Sequence, residues 1–236
     1  MLPTSEEMEV LALSLKVAFW SVLVSLPFAI GIAYALARAS FPGKTLFDAV
    51  VHLPLVLPPV VVGYFLLLAF GRQGPAGSLL EAWFGVTVAF RWTGAALAAG
   101  VMGFPLMVRA VRLSFETVDR KLEAAAGTLG AGRLAVFGTV TLPLALPGIL
   151  TGMLLSFARG LGEFGATITF VSNIPGETRT LPLAIYSYTQ VPSGDEPALR
   201  LSLIAIALSL AALFASEVLV RRATRRITGD DADSRH

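Results

Sequence analysis

The chain contains no cysteine. Disulfides, thiolate metal sites and cysteine nucleophiles are therefore excluded. Histidine is almost as scarce. His52 sits beside an apolar run and His236 is terminal, so a multi-histidine metal site has no material to form from. Charge is thin as well: 14% of the 236 residues are Asp, Glu, Lys or Arg, against about 25% in soluble domains. A net charge of +2 gives no basis for a nucleic-acid partner. Residues 1–9 hold Glu6, Glu7 and Glu9 but no Lys or Arg, so the first apolar run reads as a permanent span and not as a secretory signal. Catalytic signatures are missing too. Gly43-Lys44-Thr45 has the ending of a phosphate-binding loop, but the glycine needed five residues before Gly43 is Arg38. There is no His-Glu-x-x-His and no Gly-x-Ser-x-Gly. No ATP site, metal or cofactor is expected on this chain.

What is abundant is apolar length. The chain is 55% hydrophobic, and its mean hydropathy is +0.74. A protein whose outer surface is apolar has lipid as its solvent. Five runs are near the twenty residues that a crossing needs: 10–37, 50–70, 92–111, 144–168 and 199–220. The reading is an all-α integral membrane protein, one transmembrane domain over 1–236. The run 181–191 is too short to cross and reads as a re-entrant or interfacial helix. Basic residues orient the chain. With the N-terminus outside, the inward segments carry twelve of the 18 Lys and Arg, and the outward segments carry Arg72, Arg91, Arg179 and Arg200. Lys16 and Arg159 fall inside spans. A sixth crossing would move the Arg221–Arg226 cluster outside and break the pattern.

Prolines interrupt the runs. Pro27, Pro54, Pro58, Pro59 and Pro105 each remove a backbone donor. Membrane helices tolerate single prolines, but three within residues 54–59 cannot form a regular helix. The loop 112–143 is the largest polar stretch. Within it, Leu122, Glu123, Ala124, Ala125, Ala126, Gly127, Thr128, Leu129 and Gly130 form a small-residue segment of helical composition, with glycine at its end. Small side chains let a partner approach the backbone and dock. The same composition also suits a surface helix that joins two spans.

This loop resembles that of the permease subunits of ATP-binding cassette importers. Gly130, then nine residues, then Val140-x-Leu142-Pro143 fits that family's pattern with Val in place of Ile. Glu123 stands one place early, and Ala124 occupies the usual glutamate position. The resemblance covers nearly the whole chain through Phe41-Pro42-Gly43-Lys44, the segment from His52 to Tyr64, the segment Phe104 to Arg109, Leu161-Gly162-Glu163-Phe164-Gly165-Ala166-Thr167 and the segment Asn173 to Thr180. These look like the molybdate permeases of that class, with sulfate and tungstate permeases as relatives. The resemblance implies a homodimer with a second copy, a cytoplasmic ATPase dimer gripped through residues 122–130, and an extracytoplasmic oxyanion-binding protein. It also places the outer loop with Glu177 and Arg179 near the docking surface of that protein.

The fourth run carries the deepest charge. Arg159 and Glu163 are four apart and can pair on one helix face. Ionisable groups at that depth face a bundle interior or a water path. Together with Ser156 and Thr167 they are the candidates for the translocation pathway or its gate; a structural ion pair is the plainer alternative. Gly148, Gly152, Ser156 and Gly160 recur every four residues, a stripe suited to close helix contact within one subunit or between two. The function expected is ATP-driven import of a tetrahedral oxyanion, molybdate first, by alternating access. Sulfate or tungstate import of the same class, and an autonomous secondary carrier or channel, are the alternatives.

Overall fold

The computed structural model describes residues 4–228. Arg235 and His236 lie outside the described residues. Among the described residues every regular element is helical. In order they are α1 Ser5–Arg38, α2 Lys44–Val56, α3 Pro59–Phe70, α4 Pro75–Phe84, α5 Trp92–Thr117, α6 Arg120–Thr128 and α7 Arg133–Val136. A π-helical turn at Phe137–Thr141 follows, then α8 Leu142–Leu144, α9 Leu146–Leu161, α10 Gly165–Val171, α11 Leu181–Thr189 and α12 Asp195–Thr228.

Three helices, α1, α5 and α12, are long and apolar enough to cross a membrane. The count reaches five if each bent pair, α2 with α3 and α7–α8 with α9, is one span. α1 starts on a capping box: Glu7 N–H donates to Thr4 Oγ1 and Thr4 N–H donates to Glu7 Oε2, which satisfies two of the free donors of the first turn. Pro27 and Pro105 are carried inside α1 and α5 without ending them. Pro54 is likewise carried inside α2, and only the Pro58-Pro59 end of the cluster breaks the helix. α2 stops at Val56, Pro58 is the cap and Pro59 the first residue of α3, with a bend of 112° between the two axes.

α5 is the centre of the bundle. It packs chiefly on α1 and α9, and 61% of its most apolar window is buried, against none of that of α12. Alanine and glycine line it, among them Ala95, Ala98, Ala99, Gly100 and Gly103, so neighbouring backbones come close. The stripe on α9 is the counterpart, and the close contact lies within one subunit. A Cβ on Gly152 would lie 3.0 Å from the Met107 carbonyl oxygen, and one on Gly148 would collide with Ser114. Gly103 of α5 faces Ser156 in the same way. α12 lies outside, against α9 and α11, and exposes Leu203, Ile206, Leu210, Leu213 and Phe214, the surface that lipid solvates.

The run 144–168 is also two helices. α9 stops at Leu161, and α10 starts at Gly165. The halves beyond the two breaks pack on each other: α3 meets α10, with a Cβ on Gly63 only 2.5 Å from the Ala166 carbonyl oxygen and one on Gly165 2.8 Å from Pro59 Cβ. The segment 71–91, between the second and third apolar runs, contains α4. Pro75 at its first turn and Gly85 in left-handed geometry (φ 64°) bound it. Its Trp83 and Phe84 are exposed, as in aromatic belts at membrane surfaces. α11 has nine residues, about 13 Å, well short of a crossing.

Candidate functional site

The small-residue segment forms α6 and ends as its glycines require. Asp119 caps its start by accepting from Lys121 N–H at 2.9 Å, and Gly130 closes it at φ 89°, a left-handed conformation that costs glycine nothing. No residue of α6 is buried. Ala124, Ala125, Gly127, Thr128 and Gly130 are open, and Gly127 has nothing within 4 Å of a would-be Cβ. Leu122 and Leu129 are exposed, Leu129 at 89%, and Leu134 beyond α6 is 88% exposed.

Glu123 points the other way. Its Oε1 accepts from Arg38 Nη2 at 3.1 Å and from Thr141 Oγ1 at 2.7 Å. Arg38 also donates to the Val118 carbonyl at 3.1 Å. One carboxylate thus ties α6 to the end of α1 and to the π-helical turn that leads into α8 and α9. Tyr34 of α1 meets Phe115 and Phe137 edge-on, with centroids 5.6 and 4.9 Å away, and those two rings lie tilted to each other at 6.2 Å. The open and the engaged residues therefore fall on different sides of α6: small residues and leucines outward, Glu123 inward.

The second cluster sits at the α9–α10 break. Glu163 Oε2 lies 2.6 Å from Arg159 Nη1, an ionic contact without an aligned hydrogen bond. Glu163 Oε1 accepts from the Ala166 N–H at 2.8 Å. The carboxylate, 2% exposed, therefore caps α10 while it neutralises the last turn of α9, and the pair forms across the break instead of along one continuous helix. Arg159 is the more open partner, its side chain 29% exposed. Ser156 and Thr167 do not join it. Ser156 is wholly buried against Gly103 with its hydroxyl unpartnered, and Thr167 is buried within α10. Lys16, the other cation inside a span, lies 3.7 Å over the Trp92 ring, a cation–π contact that offsets its desolvation.

The outer loop after α10 is built, not merely solvated. Buried Thr178 accepts from Ile174 N–H and donates to the Ser172 carbonyl. Arg179 reaches Asn173 Oδ1 at 3.2 Å and Glu6 Oε1 at 3.1 Å. Glu177 accepts from Trp92 N–H at 3.4 Å. Asn173 donates to Ser187 of α11, and Ser14 accepts from Leu181 N–H. Glu177 and Arg179 are half-buried braces between the starts of α1 and α5, and the exposed crest is Ile174, Pro175 and Gly176. Nearby, Arg200 of α12 pairs with buried Glu7 at 2.7 Å. Sequence reasoning missed Arg38, Thr141, Glu7 and Arg200. Their partners are 18 to 193 residues away in the chain, and no local pattern announces such contacts. It also passed over a charged cavity between α2 and α5, lined by Asp48, His52, Arg109, Arg112, Leu113 and Glu116.

Comparison with known proteins agrees with this architecture. Residues 25–225 match the family described as binding-protein-dependent transport system inner membrane component. The chain is 61% identical over 226 residues to the molybdenum transport system permease protein ModB of Escherichia coli strain K12, covering 96% of this chain and 99% of that one. It is 57% identical over 228 residues to ModB of Haemophilus influenzae, covering 96% and 100%, and 37% identical over 217 residues to the sulfate transport system permease protein CysT of Salmonella typhimurium, covering 92% and 77%. In fold it is similar to a solved bacterial ABC transporter that imports the acidic polysaccharide alginate (TM-score 0.73, 15% identity, 93% and 80% covered). It is also similar to the inward-facing MetNI methionine ABC transporter (TM-score 0.67, 17% identity, 93% and 94% covered). The chain belongs to the family of binding-protein-dependent transport system inner membrane components, as a multi-pass permease subunit and not an enzyme.

Proposed function

We propose that the chain is the permease subunit of an ATP-driven importer for molybdate. The observation that carries this reading is the 57–61% identity, over nearly the full length, to permeases named for molybdenum transport. The chain crosses the membrane five times with its N-terminus outside, works as a homodimer, is gripped inside by an ATPase dimer and receives its cargo outside from an oxyanion-binding protein. Residues 122–130 are the grip. The outward leucines and small residues of α6 support docking, and the inward Glu123 supports transmission: a push on α6 reaches α1 through Arg38 and the α8–α9 segment through Thr141. Arg159 and Glu163 mark the moving joint, because their pair bridges the α9–α10 break. Opening or closing the angle between the two halves must stretch it. Broken helices of this kind line substrate paths in other transporters.

The test of cargo is competition uptake in the reconstituted complex, with labelled molybdate against tungstate and sulfate. Molybdate uptake that unlabelled molybdate suppresses at the lowest concentration supports the reading. Suppression by sulfate at lower concentration replaces molybdate with sulfate. Uptake by this chain without ATP or an ATPase subunit replaces the importer with an autonomous carrier.

A further inference from the structure

The proposed coupling and gate leave one charged feature unused: the cavity between α2 and α5, of about 330 Å³. Five of its six lining side chains are ionisable. Arg112 is already held, with its Nη1 3.0 Å from Asp48 Oδ2 and its Nε 2.8 Å from Glu116 Oε1. His52 Nδ1 lies 3.1 Å from Asp48 Oδ1. Both carboxylates are thus engaged. Arg109, three residues before Arg112 and so on the same face of α5, is exposed and has no hydrogen-bond or ion-pair partner among the described residues. It stands 17 residues into α5, about 25 Å from the Trp92 end, still within an apolar stretch. Counted with the inward basic residues, it sits towards the inner end of the span, where its unpaired guanidinium fork opens into the cavity and is free to take an anion.

The shape of the surroundings favours a free ion over a lipid headgroup. The large apolar groove of the bundle, lined by Val50, Pro54 and Phe104 among others, also borders α2 and α5. Val50 and Pro54, however, lie about 160° around α2 from Asp48 and His52. Two of the groove's three α2 residues therefore face away from the charged cavity, so an acyl chain seated along them points away from Arg109. The charge balance favours transit over storage. Two arginines face two carboxylates that already hold one of them, so an arriving dianion meets one free guanidinium fork, a geometry suited to two oxygens of a tetrahedral oxyanion. A path conducts only if its sites hold the ion weakly enough to release it.

We propose that Arg109, backed by Arg112 and His52, is an exit site that holds the transported tetrahedral oxyanion between the α9–α10 joint and the cytoplasm. This rests on the importer reading above. The absence of cysteine from the chain provides the test. Leu113→Cys places a single thiol in the cavity lining, and its labelling by a neutral maleimide is followed on this chain in the full complex in liposomes, with tungstate as the probe. Tungstate should slow labelling about five-fold in Leu113→Cys, partly in the same variant with Arg109→Lys, and not at all with Arg109→Gln. Arg109→Gln alone should lower ATP-driven uptake about ten-fold, the equivalent of one charge-assisted hydrogen bond. Equal protection with and without Arg109, or Arg109→Gln uptake within two-fold of wild type, overturns the proposal. So does labelling that responds to the anionic phospholipid content of the liposomes and not to tungstate, which would assign the cavity to headgroups. A wild-type complex that takes up none of molybdate, tungstate or sulfate overturns the importer reading itself.

Discussion

Glu123→Ala removes the one carboxylate that joins α6 to two other segments. It leaves Thr141, 1% exposed, without its acceptor, and Arg38, whose side chain is 12% exposed, with the Val118 carbonyl alone. A hydrogen bond to a charged group contributes about 1.5–3 kcal/mol. Here two donors share one oxygen, so their contributions do not add, and the carboxylate is 20% exposed, so water replaces part of the loss. The expected cost is about 2–3 kcal/mol, charged to the docking of α6 on α1 and the π-helical turn and not to the bundle. That is roughly a 30- to 150-fold shift toward undocked α6. Thr141→Val removes only the hydroxyl and should cost about 1 kcal/mol. Hydrogen exchange over residues 120–130 reads the undocking of α6, and oxyanion transported per ATP hydrolysed in liposomes reads its coupling to transport. Both should change in Glu123→Ala, with Thr141→Val between it and wild type. If Glu123→Ala protects α6 as wild type does and transports the same amount per ATP, the Glu123 tie transmits nothing.

Further perturbations separate the parts. Ala125→Glu or Gly127→Glu puts a bulky charge on the open face of α6, where nothing lies within 4 Å of a Gly127 Cβ. The chain should fold and insert normally but fail to drive uptake; normal ATP-driven uptake would remove that face from the coupling surface. Glu163→Ala strips Arg159 of its partner and α10 of its cap. Breaking a buried pair costs about 3–5 kcal/mol, which the 29% exposure of Arg159 reduces to about 2–3; thermal unfolding in detergent and uptake should both fall, and an unchanged Tm with wild-type uptake would contradict the joint. Gly63→Ala forces a methyl against the Ala166 backbone and should destabilise the α3–α10 contact by about 1–3 kcal/mol. Gly31→Ala, with open space around it, should be neutral or stabilising by up to about 1 kcal/mol. Equal melting temperatures for these two variants would refute the close-packing argument.

Some of this was legible in the sequence because lipid enforces it. Apolar runs must be long to cross, basic residues collect on one side, and glycine ends α6 at Gly130. The spacing of Gly148, Gly152, Ser156 and Gly160 announced a close contact but not its partner, which is the glycine- and alanine-lined face of α5. The Arg159–Glu163 spacing predicted the pair correctly and its setting incompletely. Four residues apart reads as one helix, whereas Glu163 accepts from Ala166 and so begins a new one. α4 was readable in principle from Pro75 at its start and Gly85 at its end. The inward turn of Glu123 was not, because Arg38 is 85 residues away and only the packing of α1 beside the loop brings it near. Glu123, one place before the usual glutamate position, holds α6 through Arg38 and Thr141, while Ala124 and Ala125 stay exposed.

The central claim is that this chain passes an oxyanion only when an ATPase pushes on α6. Its most direct test is uptake of labelled molybdate into liposomes carrying the chain with its ATPase and binding protein, with and without ATP, beside liposomes carrying the chain alone. The account predicts uptake only in the complete, ATP-supplied system, suppressed first by unlabelled molybdate. Uptake by the chain alone, or uptake indifferent to ATP, would contradict it.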